Sequence, residues 1–560
     1  MPGTGDPNRP VDQMEVAQPQ PEYGVIIFIR HPTVAPTSVT ILLTFGFINM
    51  MDIDFTFSEA VSLLEKLRNF CREWSLADLT CIEDALLRTL SDVRMSANAQ
   101  HPVNRLPVEI LSKIFHQVPP LLTSRHNLSL EELLVWESLF EFKDTNALLP
   151  LTHVCRRWRD VALDTPTLWT TIYGSSHPRA VGEYYRRSQH APLRVLNIEN
   201  KYLDVQQLWR TDGQRIQSLA SNTGCDSDLP TSYAHGLRAL VARDCVLQGD
   251  VSNLKVLVLR AVDWHPPSSL TNLTHLFLAR KRLHIVDLFR ILSIAPRLED
   301  LGLDRISAGD AFDPHGGIHA TTLQYLRHLA IRLPNRNIVS GFFSHVGLPA
   351  RLAVNFECCQ VSDLQWLVPL TQNDAKSLYI SASMSSMIAA GPSKAVRFSC
   401  EDNDEPGLVP GIAALSSHFQ LRDLWLAHSF NWDEFDEAVI RHSPWVQTLH
   451  LGSLHYTALI GTLGNNPTCW PKLTKVVLSQ PHKLSQILKF VEARAHLGFP
   501  LEELECHEWR RLISEEYLQD LEKIKSHVGL VRLLEGGPIA FPLPDICTDD
   551  GRRWLELYAS

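Results

Sequence analysis

The residue best suited by its type to do chemistry is a cysteine beside two arginines. Cys155 precedes Arg156 and Arg157, and nearby positive charge lowers the pKa of a thiol and makes it nucleophilic. However, its spacing from Val154 and Trp158 puts Cys155 on the apolar stripe of a predicted helix, where side chains pack against a core. We therefore expect a buried structural thiol here and no catalytic residue.

A second group of candidate ligands lies near the C-terminus. Cys506, His507 and Glu508 are adjacent, but the ligand spacing of a zinc site is missing, so a polar strand end explains them better. The sequence also lacks a phosphate-binding P-loop, an HExxH zinc motif and a GxSxG nucleophile elbow. We therefore expect no metal and no cofactor.

Composition and charge narrow the class of protein. The 560 residues are 45% hydrophobic and 20% charged, which is typical of globular domains and leaves room for more than one core. A net charge of −10 and a pI near 6.2 argue against nucleic acid as a main partner. The eleven cysteines lack the paired spacings of zinc sites and disulfide scaffolds, which indicates reduced thiols and localisation to the cytoplasm or nucleus.

Residues 1–50 differ from the rest of the chain. Their two apolar runs are interrupted by Pro32 and Pro36 and are shorter than the roughly 20 residues of a membrane span, so we expect no membrane partner. Met50 and Met51 directly precede a helical pattern. We interpret residues 1–50 as a disordered leader, or as a segment upstream of the true start.

Two helices are predicted over residues 55–98. An apolar stripe recurs at three- and four-residue steps from Val61 to Trp74, and a second helix is predicted to begin at Ser75, with Asp78 completing a capping box. The pattern favours a helical hairpin. A coiled-coil segment is the alternative, although fewer than the roughly three heptads it needs are present.

Residues 102–173 are predicted to form a further helical module. Leu106 and Pro107 begin a helix in the string LPVEILSKIF, residues 106–115. In a second string, LPLTHVCRRWRDVALDTPTLWTTI at residues 149–172, residues 151–162 are predicted to form one helix whose apolar face includes Val154, Trp158 and Val161, and residues 164–166 are predicted to turn the chain. Between the strings, Ser129 begins another predicted helix after a loop.

These two strings resemble the two ends of an F-box, in the order Leu-Pro helix start, Val-Cys-Arg-x-Trp helix and Pro-x-Leu-Trp. The resemblance implies docking onto a Skp-type adaptor, which links to a cullin and so to a ubiquitin-conjugating enzyme. It assigns the adaptor contacts to Leu106, Pro107, Ile110, Leu111, Ile114, Val154, Cys155 and Trp158. The inserted residues 119–146 depart from the family pattern. The alternative is that these helices pack internally on the N-terminal hairpin.

Residues 190–535 carry a recurring Leu-x-x-Leu-x-Leu pattern. Clear units begin at Leu273, Leu298 and Leu326, with starts roughly 25 to 28 residues apart, the range of leucine-rich repeats. Weaker units begin at Leu237, Leu352, Leu378 and Val396. Predicted helices, such as residues 286–292 and 484–491, separate the strands. The fold class expected is therefore an α-helical F-box module followed by an α/β leucine-rich-repeat solenoid of parallel strands and helices. The alternative is an ordinary α/β domain with leucine-rich strands.

In a solenoid, the residues that alternate with the buried leucines face the concave surface. The candidates for a substrate-binding face are His275, Phe277, Asp300, Asp304, His328, Arg332, Asp423, Trp425, His450, Lys475, Glu503, Glu505 and His507. Mixed charge with aromatic residues is typical of a protein-binding surface. The alternative is that they are ordinary solvated strand residues.

The F-box resemblance, taken together with the repeat pattern, implies a non-enzymatic substrate-recognition subunit of a ubiquitin ligase of the Skp–cullin type. Its partners would be a Skp-type adaptor, through it a cullin, and an unknown protein substrate. Residues 536–560 are predicted to be a C-terminal tail. Two alternatives stay open, namely an interaction scaffold without ligase function and an enzyme with an unrecognised pocket.

Overall fold

The computed structural model describes most of the helical module and of the region with the leucine pattern. Its described residues are 58, 61, 62, 65, 68, 69, 75–120, 142–174, 176–197, 205–221, 229–230, 235–243, 246–248, 251–261, 263–264, 269–280, 282–283, 285–308, 320–332, 336–357, 375–381, 386–399, 421–426, 439–452, 457–466, 468–479, 484–507, 515–535 and 541–547. The chain divides into two compact units, residues 1–92 and 93–560.

The first unit contains the predicted helix start at Ser75. Helix α1, Leu76–Gln100, begins there and continues into the second unit. The backbone N–H of Asp78 donates to Oγ of Ser75 over 3.3 Å, so the predicted cap is confirmed. Much of the predicted first helix of the hairpin lies outside the described residues, although residues 58, 61, 62, 65, 68 and 69 are helical.

The second unit opens with short helices. These are α2 Val108–Gln117, α3 Leu149–Val154, α4 Arg156–Leu163 and α5 Pro178–Arg187, with 3-10 helices at Pro102–Arg105, Thr145–Leu148 and Pro166–Trp169. Later helices are α6 Val205–Asp212, α7 Ile285–Ile294, α8 Arg336–His345, α9 Thr457–Asn465, α10 Leu484–His496 and α11 Glu515–Lys525.

In the part of the chain that the structure describes, a 17-stranded, mostly parallel sheet dominates the second unit. Its strands are β1 Thr171–Tyr173, β2 Leu193–Asn197, β3 Ile216–Ser221, β4 Ala239–Arg243, β5 Val256–Arg260, β6 His275–Ala279, β7 Asp300–Asp304, β8 His328–Arg332, β9 Leu352–Glu357, β10 Ser377–Ser381, β11 Ser386–Ala390, β12 Lys394–Ser399, β13 Asp423–Leu426, β14 Thr448–Leu451, β15 Lys475–Leu478, β16 Leu501–His507 and β17 Val528–Leu534. Short paired segments such as Arg282–Leu283 with Ser307–Ala308 form smaller sheets beside it.

The leucine pattern sets the register between strands. Leu276, Leu301, Leu329 and Val354 are partners across β6 to β9, and each is at most 1% exposed. The predicted strands and the predicted helices at 286–292 and 484–491 are thus confirmed as elements. Because the described helices lie between successive parallel strands, leucines on one side of the sheet pack against helices and form the main core.

Three successive strands end in the same way. Ala261, Arg280 and Arg305 directly follow β5, β6 and β7, and all have φ near 50°. Their N–H groups donate to Ala279, Asp304 and Arg332, the last residues of the next strands, over 2.9, 2.8 and 3.0 Å. A left-handed residue therefore closes each of these strands onto its neighbour.

One segment departs from the parallel order. Strand β9 pairs with β12, which is antiparallel to β11, and β11 is antiparallel to β10. The sheet continues because β10 pairs in parallel with β13. The chain therefore places β10 to β12 in reverse spatial order, which the weak units at Leu378 and Val396 did not reveal.

Candidate functional site

The predicted helix over residues 151–162 is broken into two. Cys155 has φ −157° and ψ 169°, an extended conformation that ends α3 and precedes α4. Arg159 bridges the break, since its N–H donates to the Cys155 carbonyl over 3.0 Å and its Nε to the Thr152 carbonyl over 2.8 Å. The prediction of one continuous helix was wrong because the apolar spacing alone does not detect the break. The thiol of Cys155 is half-buried rather than buried.

Trp158 joins α4 to the start of the module. Its indole Nε1 donates to Oδ1 of Asn104 over 2.6 Å, and its ring lies 5.1 Å from that of Phe115, between centroids. The neighbouring Arg157 donates to the carbonyl of Leu106 over 2.7 Å. These contacts hold α4 against α2 and against the residues just before α2, although the hydrogen-bonded partners are 51 and 54 positions apart.

Helix α2 has one buried face and one exposed apolar face. Leu111 and Phe115 are fully buried, whereas Ile110 and Ile114 are each 41% exposed. Both pairs are spaced four residues apart, so each lies on one side of the helix. Large aliphatic side chains repeated on an exposed helix face are typical of a protein-binding surface.

The structure distributes the predicted adaptor contacts over different environments. Pro107 and Val154 are exposed, and Leu106, Cys155 and Trp158 are half-buried. The prediction was wrong for Leu111. Its side chain is fully buried in the core under α2, so it cannot contact a partner in this conformation. Three further apolar side chains in or directly after these helices, Val108, Val118 and Leu149, are also exposed. The sequence did not predict their exposure, because periodicity does not distinguish a core stripe from an exposed one.

The insertion leaves and re-enters the module at one point. The N–H of Asp144 donates to the carbonyl of Pro120 over 2.9 Å. On the return side, Nζ of Lys143 donates to the carbonyl of His116 at the end of α2, over 2.6 Å. The insertion therefore does not separate α2 from α3 and α4. Its predicted helix from Ser129 lies outside the described residues.

The helical module shares its core with the sheet. The indole Nε1 of Trp169 donates to the carbonyl of Ala162, and the ring stacks on Tyr184 of α5 with centroids 5.6 Å apart. The Tyr184 hydroxyl donates to Oδ1 of Asn146 over 2.9 Å. Strand β1 follows directly and pairs with β2. The module and the first strands are thus packed into one hydrophobic core.

The predicted substrate-binding residues lie on the side of the sheet that faces away from the described α-helices, which we call the helix-free face. They alternate along each strand with leucines of the main core, as expected. Their exposure was predicted wrongly. Six of them are buried, namely His275, Asp300, Asp304, His328, Glu505 and His507, and the other seven are half-buried. The physical reason is that they contact one another across strands and that a C-terminal segment covers part of this face.

A three-residue network occupies the middle of this helix-free face. The Asp300 carboxylate contacts Nε2 of His275 and Nδ1 of His328, each at 2.5 Å. Burial by itself raises the pKa of Asp300, but hydrogen bonds and charge from His275 and His328 outweigh it and hold the pKa well below its ordinary range. Asp300 is therefore ionised in the folded protein at neutral pH.

A second polar cluster lies towards the C-terminal strands. Nζ of Lys475 lies 3.2 Å from Glu503 and 3.0 Å from Glu505, and Arg532 is 2.8 Å from Glu503. Two acids and two bases thus neutralise each other. In the part of the chain that the structure describes, no group of His, Cys, Asp and Glu side chains has the arrangement of a metal site.

Residues 541–547 pack on the helix-free face between these two clusters. The ring of Phe541 lies 5.4 Å from Tyr379 and 5.6 Å from Trp425, between centroids, while the Ile546 carbonyl accepts from Nε2 of His328 over 2.9 Å. Phe541 and Ile546 are buried. This part of the predicted tail, 536–560, is therefore a packed segment. The only hint in the sequence is the apolar string FPLP at 541–544.

Comparison with known proteins identifies one part of the chain. A family model described as F-box-like matches residues 103–175, which run from the 3-10 helix before α2 to the end of β1. An F-box-like domain supports an adaptor role and binding to a Skp-type protein in general terms. No curated protein matches the chain significantly. Among the described helices, none has both the length and the apolar character needed to cross a membrane.

Proposed function

We propose that this chain is the substrate-recognition subunit of a ubiquitin ligase of the Skp–cullin type. The observation that carries the proposal is the exposed pair Ile110 and Ile114 on α2, within the F-box-like region. Desolvating two aliphatic side chains on one helix face stabilises a complex by the hydrophobic effect. The adaptor surface would also include Pro107 and Val154, with Leu106, Cys155 and Trp158 at its margin.

The sheet would hold the target while the helical module holds the ligase. We propose that the sheet is a leucine-rich-repeat array and that its helix-free face binds the target protein. The shared core of module and sheet supports this division, because a rigid connection fixes the distance between target and ligase. The contribution to ubiquitination is then proximity, and the chemistry belongs to the partner enzymes. We place this activity in the cytoplasm or nucleus.

Co-purification with a Skp-type adaptor tests the proposal. We expect the full-length chain to retain the adaptor and the double variant Ile110→Asp with Ile114→Asp to lose binding by at least about tenfold, since two charges would be desolvated at the contact. Val286→Asp is the matched control, because Val286 is 57% exposed on a helix of the sheet region. Circular dichroism checks that each variant is folded.

Two outcomes would contradict the ligase proposal. If the unaltered chain retains no adaptor, or if the double variant retains as much as Val286→Asp, the ligase proposal is wrong and an interaction scaffold without ligase function is favoured. Trp158→Asp is a poorer test, because Trp158 packs on Phe115 and bonds Asn104, so its loss would weaken the module itself.

A further inference from the structure

We propose that the helix-free face from β8 to β13 is a binding site for a peptide segment of the target, and that residues 541–547 occupy this site in the unliganded chain. The class of ligand is a segment with an aromatic side chain followed five residues later by a branched aliphatic side chain. The identity of the occupant as a ligase target rests on the proposed function. The existence of a peptide site does not.

The surface covered by residues 541–547 is lined by side chains that suit a peptide. Phe541 contacts the rings of Tyr379 and Trp425 on β10 and β13. Ile546 belongs to the same buried cluster as Ala353, Ile388 and Ala395, which lie on strands of this face. The segment thus inserts two large apolar side chains into a surface lined by aromatic, aliphatic and small residues, and such a lining selects apolar side chains.

One polar contact binds the backbone of the segment. The Ile546 carbonyl accepts a hydrogen bond from the buried His328, whose other ring nitrogen is held by Asp300. A backbone carbonyl is present in every peptide, so this contact recognises a peptide backbone without selecting its sequence. Selection is left to the side chains at the positions of Phe541 and Ile546.

The way in which residues 541–547 are held allows another peptide to displace them. Pro542 and Pro544 have no N–H donors, so residues 541–544 cannot pair as a full strand with the sheet. They have no strand conformation, and residues 545–547 form a single 3-10 turn. The segment is therefore held by side-chain contacts and few hydrogen bonds, and it joins the sheet region through a chain connection that keeps it at high effective concentration. A target peptide must compete with it.

A labelled synthetic peptide of residues 539–550 tests the site directly, by fluorescence anisotropy and without any adaptor. We expect weak binding to the unaltered full-length chain and at least about tenfold tighter binding to full-length Phe541→Asp, in which the internal segment no longer occupies the site. The control chain carries Pro542→Asp, because Pro542 is exposed and its substitution leaves the site covered. A control peptide with Phe541→Asp should bind neither chain.

A crosslink tests the location and covers the case in which Phe541→Asp does not fold. The peptide with a photoreactive benzoyl group on Phe541 is added in excess to the unaltered chain. We expect mass spectrometry to find the crosslink on β10 or β13, beside Tyr379 or Trp425. The proposal is overturned if the crosslink lies elsewhere, or if the peptide binds the Phe541→Asp and Pro542→Asp chains equally.

The two proposals can fail separately. The double variant Ile110→Asp with Ile114→Asp is expected to bind the peptide like the unaltered chain, because those side chains belong to α2 and not to the helix-free face. Loss of adaptor binding with intact peptide binding would leave the peptide site standing. Intact adaptor binding without a peptide site would overturn only the further inference.

Discussion

His328 and Ile546 are 218 positions apart, yet Nε2 of the imidazole donates to the Ile546 carbonyl over 2.9 Å. A carbonyl can only accept, so Nε2 carries a hydrogen. The other nitrogen, Nδ1, lies 2.5 Å from Asp300. The C-terminal segment, β8 and β7 are therefore joined through one ring, and changes at Asp300 act on the segment as well as on the sheet.

Replacing Asp300 by alanine is expected to destabilise the fold strongly. Asp300 is 2% exposed, and removing it leaves His275 and His328 without their shared carboxylate. Removing one partner from a buried charged network costs about 3–5 kcal/mol of unfolding free energy. Urea unfolding measures the change. Asp287→Ala on the outer helix α7 is the control, and an equally small effect of both variants would contradict the structural role of the network.

Lowering the pH is expected to destabilise the fold, and His450 accounts for part of this effect. Burial, followed by the positive charge of Lys475 and by His507, lowers the pKa of His450 to about 3. The unfolded chain binds a proton near the ordinary value of about 6.5, while the folded chain does not. Between these two pKa values the unfolded state binds a proton that the folded state does not bind. Each unit by which the pH falls therefore lowers the free energy of unfolding by about 1.4 kcal/mol.

Urea unfolding at pH values from 7 to 4.5 measures this slope. His450→Phe keeps an aromatic ring stacked on Trp425, whose centroid lies 3.6 Å away, but removes the titrating group. We expect the free energy of this variant to depend less on pH, by the equivalent of one proton. His190→Gln, at an exposed position, should keep the original slope. Parallel slopes for His450→Phe and the unaltered chain would refute the assignment.

Adding a side chain at Gly302 is expected to destabilise the fold. A Cβ at this position would lie 2.2 Å from Cδ2 of Phe277 on the neighbouring strand. Gly302→Ala should therefore cost about 1–3 kcal/mol through overpacking, as measured by thermal or urea unfolding. Phe277→Leu in the same chain should recover part of the loss. Gly182→Ala is the control, since nothing lies within 4 Å of its Cβ position in helix α5, and a stabilising change is expected there.

Strand positions could be predicted from the sequence because burial has a strict period. The partnered aliphatic residues of β6 to β9, Leu276, Leu301, Leu329 and Val354, recur 25 to 28 positions apart, and the register of the strands follows from this spacing. The predicted start of α1 at Ser75 rests on a local interaction, a side chain capping the N–H three residues later. Periodicity and local capping are both visible in a single sequence.

The rest depends on contacts between distant residues. The helix break at Cys155 leaves the apolar spacing unchanged, and the burial of Leu111 depends on which helices pack against α2. Alternation placed His328 on the correct side of the sheet, but its burial depends on Asp300 and on a segment more than 200 positions later. Such packing has no local signature, so the candidate face was found while its exposure was predicted wrongly.

A buried arginine between two late strands offers a last test. Arg494 of α10 is 1% exposed, and its guanidinium donates to the carbonyls of Trp470 and Leu473 over 3.1 and 3.0 Å. Arg494→Leu fills the space but leaves both carbonyls without this donor, which should cost about 2–4 kcal/mol in urea unfolding. Arg494→Lys should recover little, because a single ammonium cannot match the planar fork of two donors. Arg290→Leu, exposed on α7, is the matched control. Equal stability of the Arg494→Leu and Arg290→Leu chains would show that the guanidinium contributes nothing to joining α10 to the preceding strand connection.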